Sequence, residues 1–102
     1  MFTYSVTVTL DRSLQEDWIA WMQAEHIPDV MATGCFESWM LQELIDPEPD
    51  AGTATFNVQY RFSEPESLER YIGEHAPQLR RAVSERYGSR LVSFRTVLKQ
   101  LS

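Results

Sequence analysis

Two histidines are present in the 102-residue chain, and both sit in the same motif: Glu25-His26-Ile27-Pro28 and Glu74-His75-Ala76-Pro77. Imidazole titrates near neutral pH, so either could act as a general base or a ligand-binding group. A structural reading competes with that one. His26 follows Met22 by four residues and Trp18 by eight; His75 follows Tyr71 by four and Leu68 by seven. Both imidazoles therefore lie toward the apolar side of a helix, where a backbone carbonyl near the proline could hold them. Duplication favours the structural reading, because a repeated kink accounts for a repeated motif more simply than one active site does. Glu25 and Glu74 fit exposed helix positions better than catalytic acids.

Arg61 and Arg95 form a second candidate pair, with Asn57 and Trp39 beside them. Two guanidinium groups in a partly enclosed cleft would select a carboxylate or phosphate by bidentate hydrogen bonding. Pairing with Glu37 or Glu43 is the competing use. A metal site is not expected: the histidines are not spaced i,i+4, Cys35 is alone, and no two ligands have a finger or zincin spacing. Cys35 follows a helix end, not a helix N-terminus that would activate its thiol, so it reads as a small buried residue. Gly-rich phosphate loops, a nucleophile elbow and triad spacing are absent, and no cofactor is implied. Arg80-Arg81, with Arg86 and Arg90, reads as a solvated basic face.

These side chains need elements to position them. Phe2, Tyr4, Val6, Val8 and Leu10 alternate with Thr3, Ser5, Thr7 and Thr9, which reads as a strand with one buried face. Ser13 and Glu16 are spaced as a capping box, and Leu14, Trp18, Trp21 and Met22 recur at helical spacing. Pro28 cannot bond the carbonyl of Ala24, which predicts a kink or break near His26-Ile27. Gly34 suits a left-handed C-terminal cap. Cys35 to Ile45 reads as a second strand and Thr53 to Phe62 as a third, joined by an acidic turn-rich connection. The second helix opens with Ser63 and Glu66, again at capping-box spacing. Pro77 interrupts it and Gly88 ends it. Leu91 to Leu101 reads as the last strand, with Val92, Phe94 and Leu98 opposite Ser93, Arg95 and Val97.

The order β-α-β-β-α-β predicts an α+β, ferredoxin-like arrangement: a four-stranded antiparallel sheet with two helices on one face. A single domain over residues 1–102 is expected, since the length leaves no room for two cores. The halves read as a structural pseudo-repeat. The face without helices is expected to carry Thr3, Ser5, Thr7 and Thr9, then Thr55, Asn57, Gln59 and Arg61, then Ser93 and Arg95. Both faces of the second strand are apolar and leave its orientation open. An exposed antiparallel face is tolerated in water. The lack of Lys and Glu on this side of the first and third strands favours burial by a second copy, with a partly polar cleft between the sheets.

Composition narrows the partners. A net charge of −6 repels phosphate backbones and anionic membranes, so neither nucleic acid nor a membrane is expected. Met1 to Leu10 alternates polar and apolar residues, so no signal peptide is expected, and no run approaches the ~20 apolar residues of a membrane span. One unpaired cysteine suits a reducing compartment, and the expected location is cytoplasmic.

Trp21-Met22, Glu25-His26-Ile27-Pro28-Asp29-Val30 and Ala32-Thr33-Gly34-Cys35-Phe36 resemble the N-terminal half of the bacterial domain-of-unknown-function family DUF4286. Val58-Gln59-Tyr60, Glu74-His75-Ala76-Pro77-Gln78-Leu79-Arg80, Glu85-Arg86-Tyr87-Gly88 and Phe94-Arg95 extend the resemblance over nearly the whole chain. It implies a ferredoxin-like fold of the dimeric α+β barrel type, and no activity. Broader kin of that fold include small monooxygenases, haem-degrading enzymes and stress-responsive proteins, and fold alone transfers no function. Asn57 with Trp39 and a histidine is similar to the groups used by haem-degrading barrels. Three readings follow. The first is a homodimer that binds a small organic anion over the open sheet face. The second is a cofactor-free monooxygenase-like enzyme with His26 or His75 as base and Trp39 or Tyr60 as cleft wall. The third is a purely structural dimerisation module.

Overall fold

A computed structural model describes all residues, Met1–Ser102. Four strands, β1 (Phe2–Asp11), β2 (Ser38–Glu43), β3 (Thr53–Phe62) and β4 (Leu91–Lys99), form one sheet in the order β2-β3-β1-β4. Every neighbouring pair is antiparallel. Two helical stretches connect β1 to β2 and β3 to β4. The first comprises α1 (Gln15–Trp21) and α2 (Ile27–Ala32), the second α3 (Pro65–Arg70) and α4 (Ala76–Tyr87). The fold is ferredoxin-like, as the element order predicts.

Neither proline breaks its helix. A π turn forms instead, over Met22–His26 in the first and Tyr71–His75 in the second. In each, the amide just before the proline reaches back five residues: Ile27 N–H donates to Met22 O, and Ala76 N–H to Tyr71 O. The wider turn accommodates a residue that cannot donate and keeps the helix going. Its recurrence at matching places bears out the pseudo-repeat.

Helix starts depart from expectation. Neither capping box closes. Asp11 caps the first helix, accepting from the Ser13 amide at 2.9 Å and the Ser13 hydroxyl at 2.7 Å, and a 3-10 turn over Arg12–Leu14 precedes α1. Ser13 lies inside that first turn, one residue past its start, so it is not placed to cap the helix. At the second helix the Ser63 hydroxyl donates to Glu37, and Glu64 occupies the cap position. Gly34, at φ +75°, does end the first helix in the left-handed region.

The core lies between sheet and helices. Tyr4, Val8 and Leu10 of β1 and Phe56, Val58, Tyr60 and Phe62 of β3 meet Trp18, Met22, Ile27 and Val30 of the first helix and Tyr71, Ala76 and Tyr87 of the second. Register fixes the faces, because directly paired residues share a side. Val6 pairs with Val58 on one side and with Arg95 on the other; Val8 pairs with Ser93. Ser93 and Arg95 therefore face the helices, not the open side as the β4 pattern suggested. Val92, Phe94 and Leu98 take the open face and are 64, 61 and 51% exposed. On β2, Trp39 and Leu41 pair with Tyr60 and Val58 on the helix side, while Met40 pairs with Gln59 on the open side. Phe36 precedes β2 and packs in the core, with its ring 4.9 Å from that of Tyr71.

Candidate ligand site between sheet and helices

A cavity of about 50 Å³ lies under the helices at the centre of the sheet. At about 15 Å³ per water, it holds roughly three waters or a few ligand atoms. Its floor is aliphatic, with Val6, Val8 and Val58 rising from the strands, and Trp18, Met22 and Val30 close it from the first helix. Polar groups converge from five elements. His26 comes from the first π turn, Tyr71 from the second, Tyr60 from β3 and Arg95 from β4; Arg80 of α4 completes the set. A mostly apolar pocket with a few convergent polar groups is the usual form of a small-molecule site.

Tyr60 is only 2% exposed, and its hydroxyl has no hydrogen-bond partner. Burial, with the neighbouring phenols of Tyr71 and Tyr4, pushes its pKa up. Tyr71 is likewise pushed up to about 12, by burial first and the Tyr4 phenol second, while Arg80 and Arg95 pull the other way. Both phenols therefore stay protonated at any physiological pH and can donate. Arg80 Nη2 lies 3.3 Å from the Tyr4 hydroxyl and donates to it. Neither Arg80 nor Arg95 has a carboxylate partner; Arg86–Asp17, at 3.1 Å, is the one arginine–carboxylate pair. Arg80, Ser93 and Arg95 are the solvent-exposed members of the lining, so they form the mouth of the cavity.

His26 stacks on Trp21, with ring centroids 5.0 Å apart. Burial pushes its pKa below the ordinary imidazole value; the Asp29 carboxylate opposes the shift and the Arg95 guanidinium adds to it. The imidazole is therefore neutral at pH 7 and can accept a proton. His75 shares the motif but not the surroundings. It lies at an open groove of about 340 Å³ between the two helices, with Asp29, Thr33 and Gln78. Its contact with Glu74 is 3.9 Å.

The sequence-predicted set is thus divided by the sheet. Arg95 and His26 line the cavity. Arg61 is on the opposite face, where its guanidinium donates to Gln100 at 3.0 Å. Asn57 is also there, and its amide donates to the hydroxyls of Ser5 at 2.8 Å and Thr7 at 3.1 Å. Trp39 faces the helix side but sits at the β2 edge, outside the cavity lining. Arg61 and Arg95 therefore do not form one cleft, and Asn57, Trp39 and a histidine do not meet. Arg80 and Tyr71 were missed. A signal existed for Arg80: Ala76, Arg80, Val83 and Tyr87 fall at i, i+4, i+7 and i+11, on the stripe that faces the core. No cluster of three or more metal-ligating side chains is present, and no helix is long and apolar enough to cross a membrane.

Residues 1–101 match the domain of unknown function DUF4286. The chain belongs to the DUF4286 family. Its fold is shared by solved structures of low identity. A dimeric ferredoxin-like protein from an uncultured marine organism aligns at TM-score 0.71 and 6% identity, covering 100% of this DUF4286 chain and 96% of that one. An ethyl tert-butyl ether D (EthD) family protein from Bacillus halodurans aligns at 0.67 and 10%, covering 99% and 100%. SnoaB, a cofactor-independent oxygenase from Streptomyces nogalater, aligns at 0.65 and 11%, covering 99% and 94%. No curated protein matches the sequence of this DUF4286 chain.

Proposed function

We propose that this DUF4286 protein binds a small organic anion in the cavity between its sheet and its helices. The observation that carries the reading is the pair of unneutralised guanidinium groups, Arg80 and Arg95, at the mouth of an otherwise apolar pocket. The chain as a whole carries a charge of −6. A local excess of positive charge there attracts an anion that the rest of the surface repels. Arg95 alone among the arginines first considered belongs to this site, so the ligand side of the sheet is the helix side.

The open face is proposed as the contact with a second copy. Its centre is neutral and already hydrogen-bonded to itself, with Thr9 and Thr55 hydroxyls 2.8 Å apart. Val92, Phe94 and Leu98 along β4 and Met40 on β2 flank that centre with exposed apolar surface, which a homodimer would cover.

Thermal denaturation of the purified protein with acetate, pentanoate, benzoate and phosphate tests the binding reading. At least one anion should raise the midpoint, because a ligand that binds only the folded state stabilises it. Arg95→Gln should remove that increase. No shift with any anion overturns the proposal.

A second reading is favoured by one further observation, the neutral His26 in the same cavity. It makes the protein a cofactor-free oxygenase-like enzyme in which His26 takes a proton from the bound anion, leaving a carbanion or enolate to react with dioxygen. Oxygen uptake dependent on the anion, and lost in His26→Phe, would support it. Absence of uptake with every anion that binds would rule it out.

A further inference from the structure

The guanidinium groups account for an anionic end of the ligand and leave Tyr60 unexplained. Its hydroxyl is buried and donates to nothing in the chain, and the residue lines the cavity. Tyr60 carries the one polar atom of the lining that is both buried and unpartnered; Arg80 is on Tyr4, and Arg95 and Ser93 are at the mouth. A buried hydroxyl without a partner is costly, and a native structure that retains one has a use for it.

We infer that the ligand is an oxo or hydroxy acid, whose carboxylate meets Arg80 and Arg95 and whose second oxygen accepts the hydrogen bond of Tyr60. The inference rests on the anion-binding reading above and adds the second polar group. β1 runs between β3 and β4. Tyr60 pairs with Tyr4 and Arg95 with Val6, so the two rise from the sheet two strand spacings apart and two residues apart along it, roughly 12 Å. The two anchor points are thus at different ends of the cavity, which favours an oxygen remote from the carboxylate, as in a 4-oxo acid, over one beside it. Its middle lies over Val6 and Val58 and carries no charge. The volume of about 50 Å³ restricts the buried portion to a few atoms, so the acid is short.

Sites built to hydrogen-bond a ligand oxygen discriminate strongly against analogues that lack it, because the protein group is then left unpaired. Pentanoate, 2-oxopentanoate and 4-oxopentanoate separate the two parts of the argument. Isothermal titration of each into the wild-type protein, Tyr60→Phe and Arg95→Gln gives the readout. At least one oxo acid should bind the wild type tenfold or more tightly than pentanoate. In Tyr60→Phe that preference should disappear, and in Arg95→Gln all three should weaken together. Equal binding of the three acids to the wild type, still lost in Arg95→Gln, overturns the role of Tyr60 and leaves the anion site standing. A preference that survives Tyr60→Phe also overturns it. If none of the three binds, the inference falls, and the thermal series with acetate, benzoate and phosphate decides the anion site separately.

Discussion

Replacing Tyr60 by phenylalanine should make the empty protein more stable. The ring is enclosed, packed at a tilt against Tyr4 and Phe36 at centroid distances of 6.4 and 5.2 Å, and phenylalanine preserves those contacts. Only the hydroxyl goes, and it has no partner to lose. Leaving a buried polar group unsatisfied costs about 1–3 kcal/mol. A loosely held cavity water would recover part of that, so a gain of about 1 kcal/mol is expected. For a chain of this size the thermal midpoint should rise by about 4–8 °C. Urea unfolding followed by tryptophan fluorescence, with three tryptophans in the chain, should show the midpoint moving up by roughly 0.3–1 M at unchanged slope. The variant would thus gain stability where it loses ligand discrimination, the pattern expected of a group kept for binding. A loss of more than ~1 kcal/mol, outside the range of a partnerless hydroxyl, would show that Tyr60 is hydrogen-bonded within the protein.

Three further outcomes follow from the same geometry. Phe94→Asp places a charge in the exposed apolar strip of β4, so sedimentation should find a dimer for the wild type and a monomer for the variant; a monomeric wild type refutes the assembly. His26 should titrate below the ordinary imidazole value by NMR, and Arg95→Gln should move it upward, because the neighbouring guanidinium disfavours the imidazolium. Since the folded pKa lies below the unfolded one, His26 contributes stability that is complete above about pH 6.5 and is lost as pH falls through the folded value. Asp17 joins α1 to α4, accepting from the Tyr87 hydroxyl at 2.7 Å and from Arg86 at 3.1 Å, and these hold its carboxyl below the usual range. Its contribution is present above the unfolded carboxylate pKa and is lost as pH falls through the folded one; Asp17→Asn should flatten the acid limb of the stability curve measured by urea unfolding.

Patterning over β1 and β3 was enough to orient them, because hydroxyls and amides fill one side and aliphatic or aromatic groups the other. The same rule misled at β4. Val92, Phe94 and Leu98 are the bulkier set there, yet pairing with β1 turns Leu91, Ser93 and Arg95 toward the helices. Hydrophobicity records burial without saying what does the burying, and an edge strand with apolar groups on both sides has no unique reading. The capping boxes failed because the helix starts are shifted: Asp11 and Glu64 occupy the cap positions, not Ser13 and Ser63, and the spacing of serine and glutamate alone does not fix where the first turn begins.

The duplicated motif does mark a repeated backbone device, but the hydrogen bond expected from each histidine to a backbone carbonyl is not made: His26 stacks on Trp21 and His75 contacts Glu74. Both copies build a π turn before a proline. Only the first delivers its imidazole to the cavity; the second reaches the groove between the helices. Local spacing specifies the turn, whereas the packing partners of each helix decide what the side chain meets. Arg80 shows the converse. Beside Arg81 it reads as part of a charged surface, but its place on the α4 stripe takes the guanidinium to Tyr4.

Backbone and side-chain NMR shifts, recorded as 4-oxopentanoate is added, would locate the ligand relative to the sheet. The account predicts changes concentrated at His26, Tyr60, Arg80 and Arg95, with Thr7, Gln59 and Arg61 on the other side unmoved. Changes confined to Thr7, Gln59 and Arg61 would contradict it.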